Sequence, residues 1–209
     1  MDILILKTGL MGLLIRFIIK HPDIMESKLF LKAMAVFPSK ISKSYDDKIA
    51  EIGEDYQAAL EKGLPRIRKN PRRILDLCTG TGFAAFAASD HFPDATIEAI
   101  DQSKEMIRIA MQKASAKNKD AIQFKIGNST ALQYNDNTFD LMITSNAPVY
   151  LSEAARVLKP GGLILIAYSF SGPSFVKAAK HISRYLAKDG LTLLEIKNVR
   201  KGAYILGRK

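Results

Sequence analysis

The residues best suited to chemistry in this 209-residue chain are an acid and two glycines that follow an apolar run. Asp76 lies within the run at 74–77, and Gly80 and Gly82 come directly after it. Glycine permits backbone angles and a close approach of a ligand that a β-carbon would block. The alanine- and phenylalanine-rich segment 83–88 is typical of a helix packed on a sheet. This pattern predicts a nucleotide-type cofactor site at the end of a strand.

Two cofactor classes fit the glycines, and Asp76 favours one of them. Gly80-x-Gly82-x-x-Ala85 also matches the dinucleotide fingerprint, with Asp101, 19 residues past Gly82, as the ribose acid of an NAD-dependent oxidoreductase. A carboxylate at position 76 would repel a pyrophosphate and attract an ammonium group. S-adenosylmethionine carries that ammonium and no phosphate, so it is the favoured cofactor.

Several later segments follow the glycine loop in the order that one enzyme family uses. They are a strand that ends in an acid at 96–101, a Gly-Asn-Ser turn at 127–129, a strand at 139–146, and Glu-Ala-Ala-Arg-Val-Leu-Lys-Pro-Gly-Gly-Leu at 153–163. Over roughly residues 45–209 the chain resembles class I S-adenosylmethionine-dependent methyltransferases. Its motifs are most similar to those of the quinone-biosynthesis-like (methyltransferase type 11) group.

The resemblance implies which residues hold the cofactor. Asp101 would accept both ribose hydroxyls, and the turn at 127–129 would face the adenine. The full implied set is Asp76, Cys78, Thr79, Gly80, Gly82, Asp101, Gln102, Met106, Asn128, Ser129 and Asn146.

Two positions depart from the family pattern. Cys78 stands where the first loop glycine is usual, and Asn128 stands where an Asp often meets the adenine amino group. An Asn carbonyl can still accept a hydrogen bond from an exocyclic amine. A small thiol fits at position 78 if the backbone angle there is ordinary. We therefore expect Cys78 to be a buried filler without a redox role.

The strand and helix pattern predicts an α/β fold. Strands are expected at 73–77, 96–101, 122–126, 140–145, 163–169, 191–199 and 203–208. Helical segments between the first five favour parallel pairing, and the short connection at 200–202 favours an antiparallel hairpin. The expected architecture is a Rossmann-like doubly wound seven-stranded sheet, mostly parallel, with a C-terminal antiparallel hairpin and N-terminal helices.

The chain is expected to divide into a helical extension or lid at 1–70 and a cofactor-binding methyltransferase domain at 71–209. Helices are predicted over 3–20, 23–36 and 45–62. Residues 3–20 are apolar with a narrow polar face, and the charges of Lys7 and Arg16 argue against a membrane span. Lying in a membrane interface, covering the active site and packing in a homodimer all remain compatible with this segment.

The acceptor side is expected beyond the carboxyl ends of the fourth and fifth strands, where ligands of open α/β sheets bind. Tyr45, Asn146, Tyr150 and Tyr168 are the acceptor-side candidates, and Asn146 is either a loop-fixing residue or a cofactor neighbour. Tyr56 is a second candidate lid residue beside Tyr45, with simple packing as the alternative. No catalytic base is evident. The preferred function is methyl transfer to a small hydrophobic molecule by in-line displacement.

Charge and cysteine content limit the remaining classes. The net charge is +10, and residues 173–209 carry 9 Lys and Arg against 2 Asp and Glu. Basic ends could contact an anionic substrate, RNA or a lipid surface, so an RNA methyltransferase is an alternative; ordinary solvated lysines explain the charge equally well. A single Cys indicates a reduced, cytoplasmic setting, with peripheral membrane contact through residues 1–20 left open. Three separated histidines predict no metal site.

One further helix is predicted over 174–188. Apolar side chains including Phe175, Ile182 and Leu186 share one face. The opposite face carries Lys177, Lys180, His181, Arg184 and Lys188. Such a basic face could bind phosphates or could be an ordinary solvated surface.

Overall fold

The computed structural model describes residues 53–119 and 121–209, and within them the chain forms one mixed β-sheet with helices on both faces. The strands are β1 (Arg73–Leu77), β2 (Thr96–Asp101), β3 (Ile122–Ile126), β4 (Phe139–Ser145), β5 (Leu158–Tyr168), β6 (Thr192–Val199) and β7 (Gly202–Arg208). Their order across the sheet is β3-β2-β1-β4-β5-β7-β6. The pairs among β1 to β5 are parallel, and β7 is antiparallel to both β5 and β6. The predicted fold class is confirmed.

The helices bury apolar stripes against both faces of this sheet. They are α1 (Glu54–Gly63), a 3₁₀ turn (Leu64–Arg66), α2 (Phe83–His91), α3 (Lys104–Ala116), α4 (Leu151–Val157), α5 (Gly172–Lys177) and α6 (Ala179–Lys188). One core cluster joins residues of α1 and α2 to the sheet, and the other joins residues of α4, α5 and α6 to the opposite face. Strands buried along most of their length, such as β4, explain the near-continuous apolar runs in the sequence.

Three boundaries differ from the prediction. Strand β5 begins at Leu158 instead of position 163, because Leu158 pairs with Phe139 before a register shift. The helix predicted over 174–188 is two helices, since Ala178 has a non-helical ψ of 9°. The helix predicted over 45–62 does not run through position 53, because Gly53 has φ 66° and α1 starts after it. In each case the backbone follows a local angle or pairing that side-chain periodicity does not report.

Helix α1 belongs to the same core as the sheet. Leu60 and Leu64 are buried in the cluster that includes Leu165 and Tyr204, and α1 packs on β5 and β7. The division into an extension at 1–70 and a domain at 71–209 stays a prediction. The helices predicted at 3–20 and 23–36, and Tyr45, lie outside the described residues. Within the described ranges, no helix has the length and apolar character needed to cross a bilayer.

Candidate active site at the carboxyl edge of the sheet

Asp76 lies inside strand β1, close to its carboxyl end, and its side chain is fully buried. The Thr79 hydroxyl donates to Asp76 Oδ2 at 2.6 Å. The other oxygen, Oδ1, has no hydrogen-bond partner among the described residues. Desolvation raises the pKa of Asp76 to about 7, against the lowering effect of the Thr79 hydroxyl and of the Ala85 amide, which approaches the carboxylate without completing a hydrogen bond to Oδ1. The site thus holds a buried acid with acceptor capacity to spare.

The loop after β1 brings bare backbone next to this acid. Gly80 and Gly82 both have positive φ, 56° and 92°, a region in which glycine is favoured. A β-carbon on Gly82 would lie 2.8 Å from the Phe86 ring, so the position requires glycine for space as well as for angle. The Thr79 amide donates to the Ile100 carbonyl at 3.0 Å, which ties the loop to β2.

Cys78 departs from the expected backbone angle. Its φ is 55°, in the left-handed region, so the condition of an ordinary angle, on which a small thiol would fit there, is not met. The carbonyl oxygens crowd the β-carbon of any L-residue in this conformation, which costs about 1–2 kcal/mol. The partly buried thiol lies 3.7 Å from the Ser129 hydroxyl. Burial, together with the charge of Asp101, raises its pKa to about 12, so the sulfur is a neutral thiol.

Asp101 closes the loop from the neighbouring strand. Its Oδ2 accepts from the Gly80 amide and its Oδ1 from the Ser103 amide, both at 2.9 Å. The residue is 7% exposed, and desolvation raises its pKa against the opposing backbone hydrogen bonds. The Gln102 amide also bonds this carboxylate, so of its roughly four acceptor sites about one remains available for a ligand hydroxyl.

The predicted adenine-side residues are less clearly gathered. Asn128 is exposed, and its Oδ1 accepts from both the amide and the hydroxyl of Thr130 at 2.9 Å. These two bonds use the acceptor capacity that was expected to meet the adenine amine, so that contact stays a prediction. Gln102 is exposed beside Asp101, and Met106 is buried in α3.

Asn146 fixes the loop that follows β4. It has φ 54°, and its Nδ2 donates to Ser169 Oγ at 2.8 Å while its Oδ1 accepts from the Ser169 amide at 2.8 Å. Ser169 Oγ in turn donates to the Tyr56 carbonyl at 2.7 Å. We call these three residues the Asn146 network. It connects the ends of β4 and β5 with helix α1, which supports the loop-fixing interpretation of Asn146.

The aromatic candidates occupy different places. The Tyr168 hydroxyl donates to the Ala147 carbonyl at 3.2 Å, and its ring stacks on Phe175 at 4.6 Å. Burial raises the pKa of Tyr168, which makes it a poor base. Tyr150 is buried at the start of α4. Tyr56 is buried against Phe83, with ring centres 5.8 Å apart.

A small cleft collects part of the predicted set. The predicted residues that line it are Tyr56, Asp76, Cys78, Thr79 and Gly80, and four further ones that the sequence did not single out are Thr81, Phe83, Ala84 and Ser145. Ser145 ends β4, Thr81 lies between the two glycines, and Phe83 and Ala84 follow them. Their positions next to the glycine motif and at a strand end were therefore the signal that could have identified them. Ser169 was missed because one serine after a strand carries no pattern. The remaining predicted residues do not line this cleft: Gly82, Asp101, Gln102, Met106, Asn128, Ser129, Asn146, Tyr150 and Tyr168. Asp101 is nevertheless next to it, because it accepts from the Gly80 amide.

Comparisons with known proteins agree with this geometry. Residues 69–200 match the family model of a methyltransferase domain. The demethylmenaquinone methyltransferase of Deinococcus radiodurans is 31% identical over 137 residues, which cover 61% of this chain and 56% of that protein. The Thermus thermophilus enzyme of the same name is also 31% identical over 137 residues, 61% of this chain and 62% of that protein. The matched segment therefore spans little more than half the length of these relatives.

Solved structures give the same fold. A S-adenosylmethionine-dependent methyltransferase from Aquifex aeolicus superposes with a TM-score of 0.64 at 19% identity, covering 82% of this chain and 97% of that one. The comparisons support neither the NAD-dependent oxidoreductase nor the RNA methyltransferase alternative. The chain belongs to the methyltransferase domain family, as a class I S-adenosylmethionine-dependent methyltransferase similar to the quinone-biosynthesis group.

Proposed function

We propose that this chain transfers a methyl group from S-adenosylmethionine to a small, hydrophobic, quinone-like acceptor by in-line displacement. The observation that carries the proposal is Asp76 Oδ1, a buried carboxylate oxygen with no partner among the described residues, in the wall of a cleft beside a bare glycine loop. A buried unpaired acceptor costs free energy unless a ligand donor reaches it. An ammonium group is the donor that matches both its charge and its position.

The residues of the cleft fit the cofactor. Asp76 would bind the ammonium of its amino-acid part, and Gly80 offers backbone without a β-carbon. Asp101, which lies next to the cleft and accepts from the Gly80 amide, would accept from the ribose hydroxyls. When bound, the cofactor supplies an activated methyl group on a sulfonium. The protein's task is then to align donor and acceptor, an effect that can contribute about 7–11 kcal/mol to lowering a barrier.

The acceptor class follows from the walls of the cleft and from the relatives. Apart from Asp76 the lining is uncharged, and Tyr56, Phe83 and Ala84 give it an apolar side. Behind it, the Asn146 network satisfies its own polar groups and offers no strong site for an ionic acceptor. The relatives from D. radiodurans and T. thermophilus are named for methylation of demethylmenaquinone, a substrate of this chemical kind.

Calorimetric titration with S-adenosylmethionine, S-adenosylhomocysteine and NAD tests the cofactor. The variants are Asp76→Asn and Asp101→Asn, which keep side-chain shape and remove charge; Asp94→Asn, at an exposed acid away from the cleft, is the matched control. We expect the two sulfur ligands to bind the wild type and the control, with a loss of affinity of at least tenfold in each of the other variants. Preferential binding of NAD, or equal binding by all variants, would overturn the assignment.

Transfer of a labelled methyl group tests the acceptor. The panel contains reduced naphthoquinones and benzoquinones, soluble phenols, and structured RNA. We expect incorporation into the apolar quinols above all other acceptors. Incorporation confined to RNA would replace the proposed acceptor and leave the cofactor assignment intact.

We further propose that residues 1–70 act as a lid over this site, because α1, which lies within them, places Tyr56 in the cleft wall. Deleting residues 1–20 should raise KM for apolar acceptors and reduce vesicle association, with cofactor affinity unchanged. If neither quantity changes, this segment has no part in acceptor binding. Light scattering of the full chain and of the deletion tests the homodimer prediction for the same segment.

A further inference from the structure

An exposed ridge runs along the outer side of α5 and α6. Its members are exposed and follow one another at i, i+3 or i, i+4 spacing: Pro173, Val176, Lys177, Lys180, His181, Arg184 and Lys188. We call this set the basic ridge. Its first two residues are apolar, and the five that follow are basic or titratable.

The buried side of the same helices is held firmly. Phe175 and Leu186 are buried in the core cluster on this face of the sheet, and Ile182 packs against it. Tyr168 stacks on Phe175 with an interplanar angle of 7°. The basic ridge is therefore presented to solvent by helices fixed on the sheet.

The charges of the basic ridge are arranged unfavourably for the isolated protein. Lys180, Arg184 and Lys188 follow one another at i, i+4, a spacing that places like charges side by side and destabilises a helix. Among the described residues, none forms an ion pair with Lys177, Lys180 or Arg184. Of the two acids in residues 173–209, Asp189 follows the end of α6, and Glu195 pairs with Arg66 at 2.9 Å. An anionic partner would relieve this repulsion.

The ridge starts at the edge of the sheet that carries the candidate active site. Helix α5 follows Ser169, a member of the Asn146 network, by three residues. Val176, 41% exposed, thus lies near that edge, and the basic residues extend away from it along α6. Both helices pack on the β7–β6 side of the sheet, so a flat anionic surface lying on the ridge would meet the molecule on the side of the Asn146 network.

We propose that the basic ridge docks the enzyme on an anionic phospholipid bilayer. Charge complementarity gives the attraction, since each Lys or Arg near such a surface contributes to adsorption. Exposed Val176 and Pro173 suit the acyl boundary. Single-stranded nucleic acid is usually bound with several aromatic rings for base stacking, whereas the basic ridge has no Phe, Tyr or Trp and only the ring of His181. The reason for docking rests on the proposed function, because a hydrophobic quinone-like acceptor resides in a bilayer.

Vesicle flotation of the full chain tests this docking. Vesicles of equal parts phosphatidylglycerol and phosphatidylcholine are compared with pure phosphatidylcholine, for wild type and for the double variant K180E/R184E. The control R72E/K117E makes the same change of net charge at two exposed basic residues outside the ridge and outside the proposed lid. We expect a fall in partitioning of about 25-fold or more for K180E/R184E, roughly fivefold for each lost cation, and a change within about threefold for the control.

Each outcome decides the question. Unchanged partitioning of K180E/R184E, or an equal fall in the control, would overturn the docking proposal. Salt-sensitive RNA binding lost only in K180E/R184E, without vesicle binding by the wild type, would assign the ridge to nucleic acid instead. S-adenosylmethionine titration of the same three proteins separates this result from the proposed function: we expect equal affinities, and failure of the wild type to bind would contradict the methyltransferase activity alone.

Discussion

The cofactor side and the acceptor side of the cleft treat their polar groups in opposite ways. On the cofactor side, Asp76 keeps one buried oxygen unpaired, and the pKa of both Asp76 and Asp101 is raised by desolvation. On the acceptor side, Asn146 and Ser169 satisfy each other and the Tyr56 carbonyl. The cofactor side thus keeps an unpaired acceptor for a ligand, which lowers the stability of the free protein; we call this acceptor the binding reserve. The acceptor side has its polar groups already hydrogen-bonded to one another and forms a rigid wall.

This difference indicates how the two regions contribute to methyl transfer. A reserved charge can recognise a ligand of opposite charge, and its cost is recovered only when that ligand binds. A wall whose polar groups are already bonded can select by shape and apolar contact. Such a division suits a charged cofactor that brings its own reactive group and an acceptor that needs only alignment.

The largest expected effect comes from removing the charge of Asp76, and it is a change in the free energy of unfolding. Because the folded-state pKa of Asp76 is about 7 against an ordinary 3.8, the folded state holds the proton more tightly, and stability falls as pH rises from about 4 to 7. Asp76→Asn removes that penalty. We expect its free energy of unfolding at pH 8 to exceed that of the wild type by up to about 4 kcal/mol, and the gain to vanish near pH 3.5. Urea unfolding at the two pH values measures it.

Glu98 on the adjacent strand is the matched control for this result. It is also nearly buried, but Arg73 and Lys125 pair with it at 2.9 and 2.6 Å. Burial opposes ionisation, yet the Lys125 and Arg73 hydrogen bonds prevail and lower its pKa. Glu98→Gln should therefore lose stability at neutral pH. A gain in both variants, or in neither, would remove the contrast between an acid held for a ligand and one paired within the fold.

The second expected effect comes from breaking the Asn146 network on the acceptor side. Ser169→Ala removes the hydroxyl that joins Asn146 to the Tyr56 carbonyl, and it leaves buried polar atoms unpaired. The loss should be about 2 kcal/mol in the free energy of unfolding. KM for the acceptor should rise more than the dissociation constant of S-adenosylmethionine. Ser152→Ala, at an exposed position on α4, is the control and should change neither. Equal effects on both ligands would mean that the network does not belong to the acceptor side.

The third expected effect is a pH dependence of the affinity for S-adenosylmethionine, which should come from the cofactor side alone. Asp76 must be ionised to attract an ammonium group, and its pKa is about 7. Affinity for S-adenosylmethionine should then rise about tenfold between pH 6 and 7.5, and level off as the carboxylate becomes fully charged. Above about pH 8 the ligand's own amino group loses its proton. Calorimetry across this range should give a flat profile for Asp76→Asn below pH 7.5; a parallel slope in that variant would assign the titration to another group.

The sequence predicted strands and site residues correctly where a local residue pattern is compatible with only one structure. Strands β1, β2 and β3 have the predicted bounds, because short β-branched runs between turn residues admit little else. The acid and glycine positions of the cofactor side were predicted because the residue type alone gives the charge of an acid and the missing β-carbon of a glycine. The Asn146 network was only half visible: Asn146 was named, whereas Ser169 acts through tertiary contacts 23 and 113 residues away in the chain. Backbone angles at Gly53, Cys78 and Ala178 also depend on surroundings that a local pattern does not contain.

Cys78 supplies the smallest effect, and it tests whether strain on the cofactor side serves binding. Glycine is normally about 0.5–1 kcal/mol less stabilising than alanine because its unfolded chain has more freedom. At φ 55° the β-carbon costs about 1–2 kcal/mol, so this order should invert. We expect Cys78→Gly to be more stable than Cys78→Ala by about 0.5–1 kcal/mol in urea unfolding.

Both Cys78 variants lose the thiol and its contact with Ser129, so their difference isolates the backbone. Cofactor affinity should agree within about twofold between them, because Asp76, Gly80 and Asp101 carry the predicted contacts and none of these is changed. If Cys78→Ala binds S-adenosylmethionine normally and Cys78→Gly binds it much more weakly, the left-handed turn must be held rigid by a side chain. The strained backbone at position 78 would then contribute to cofactor binding together with the unpaired Asp76 oxygen on the same side of the cleft.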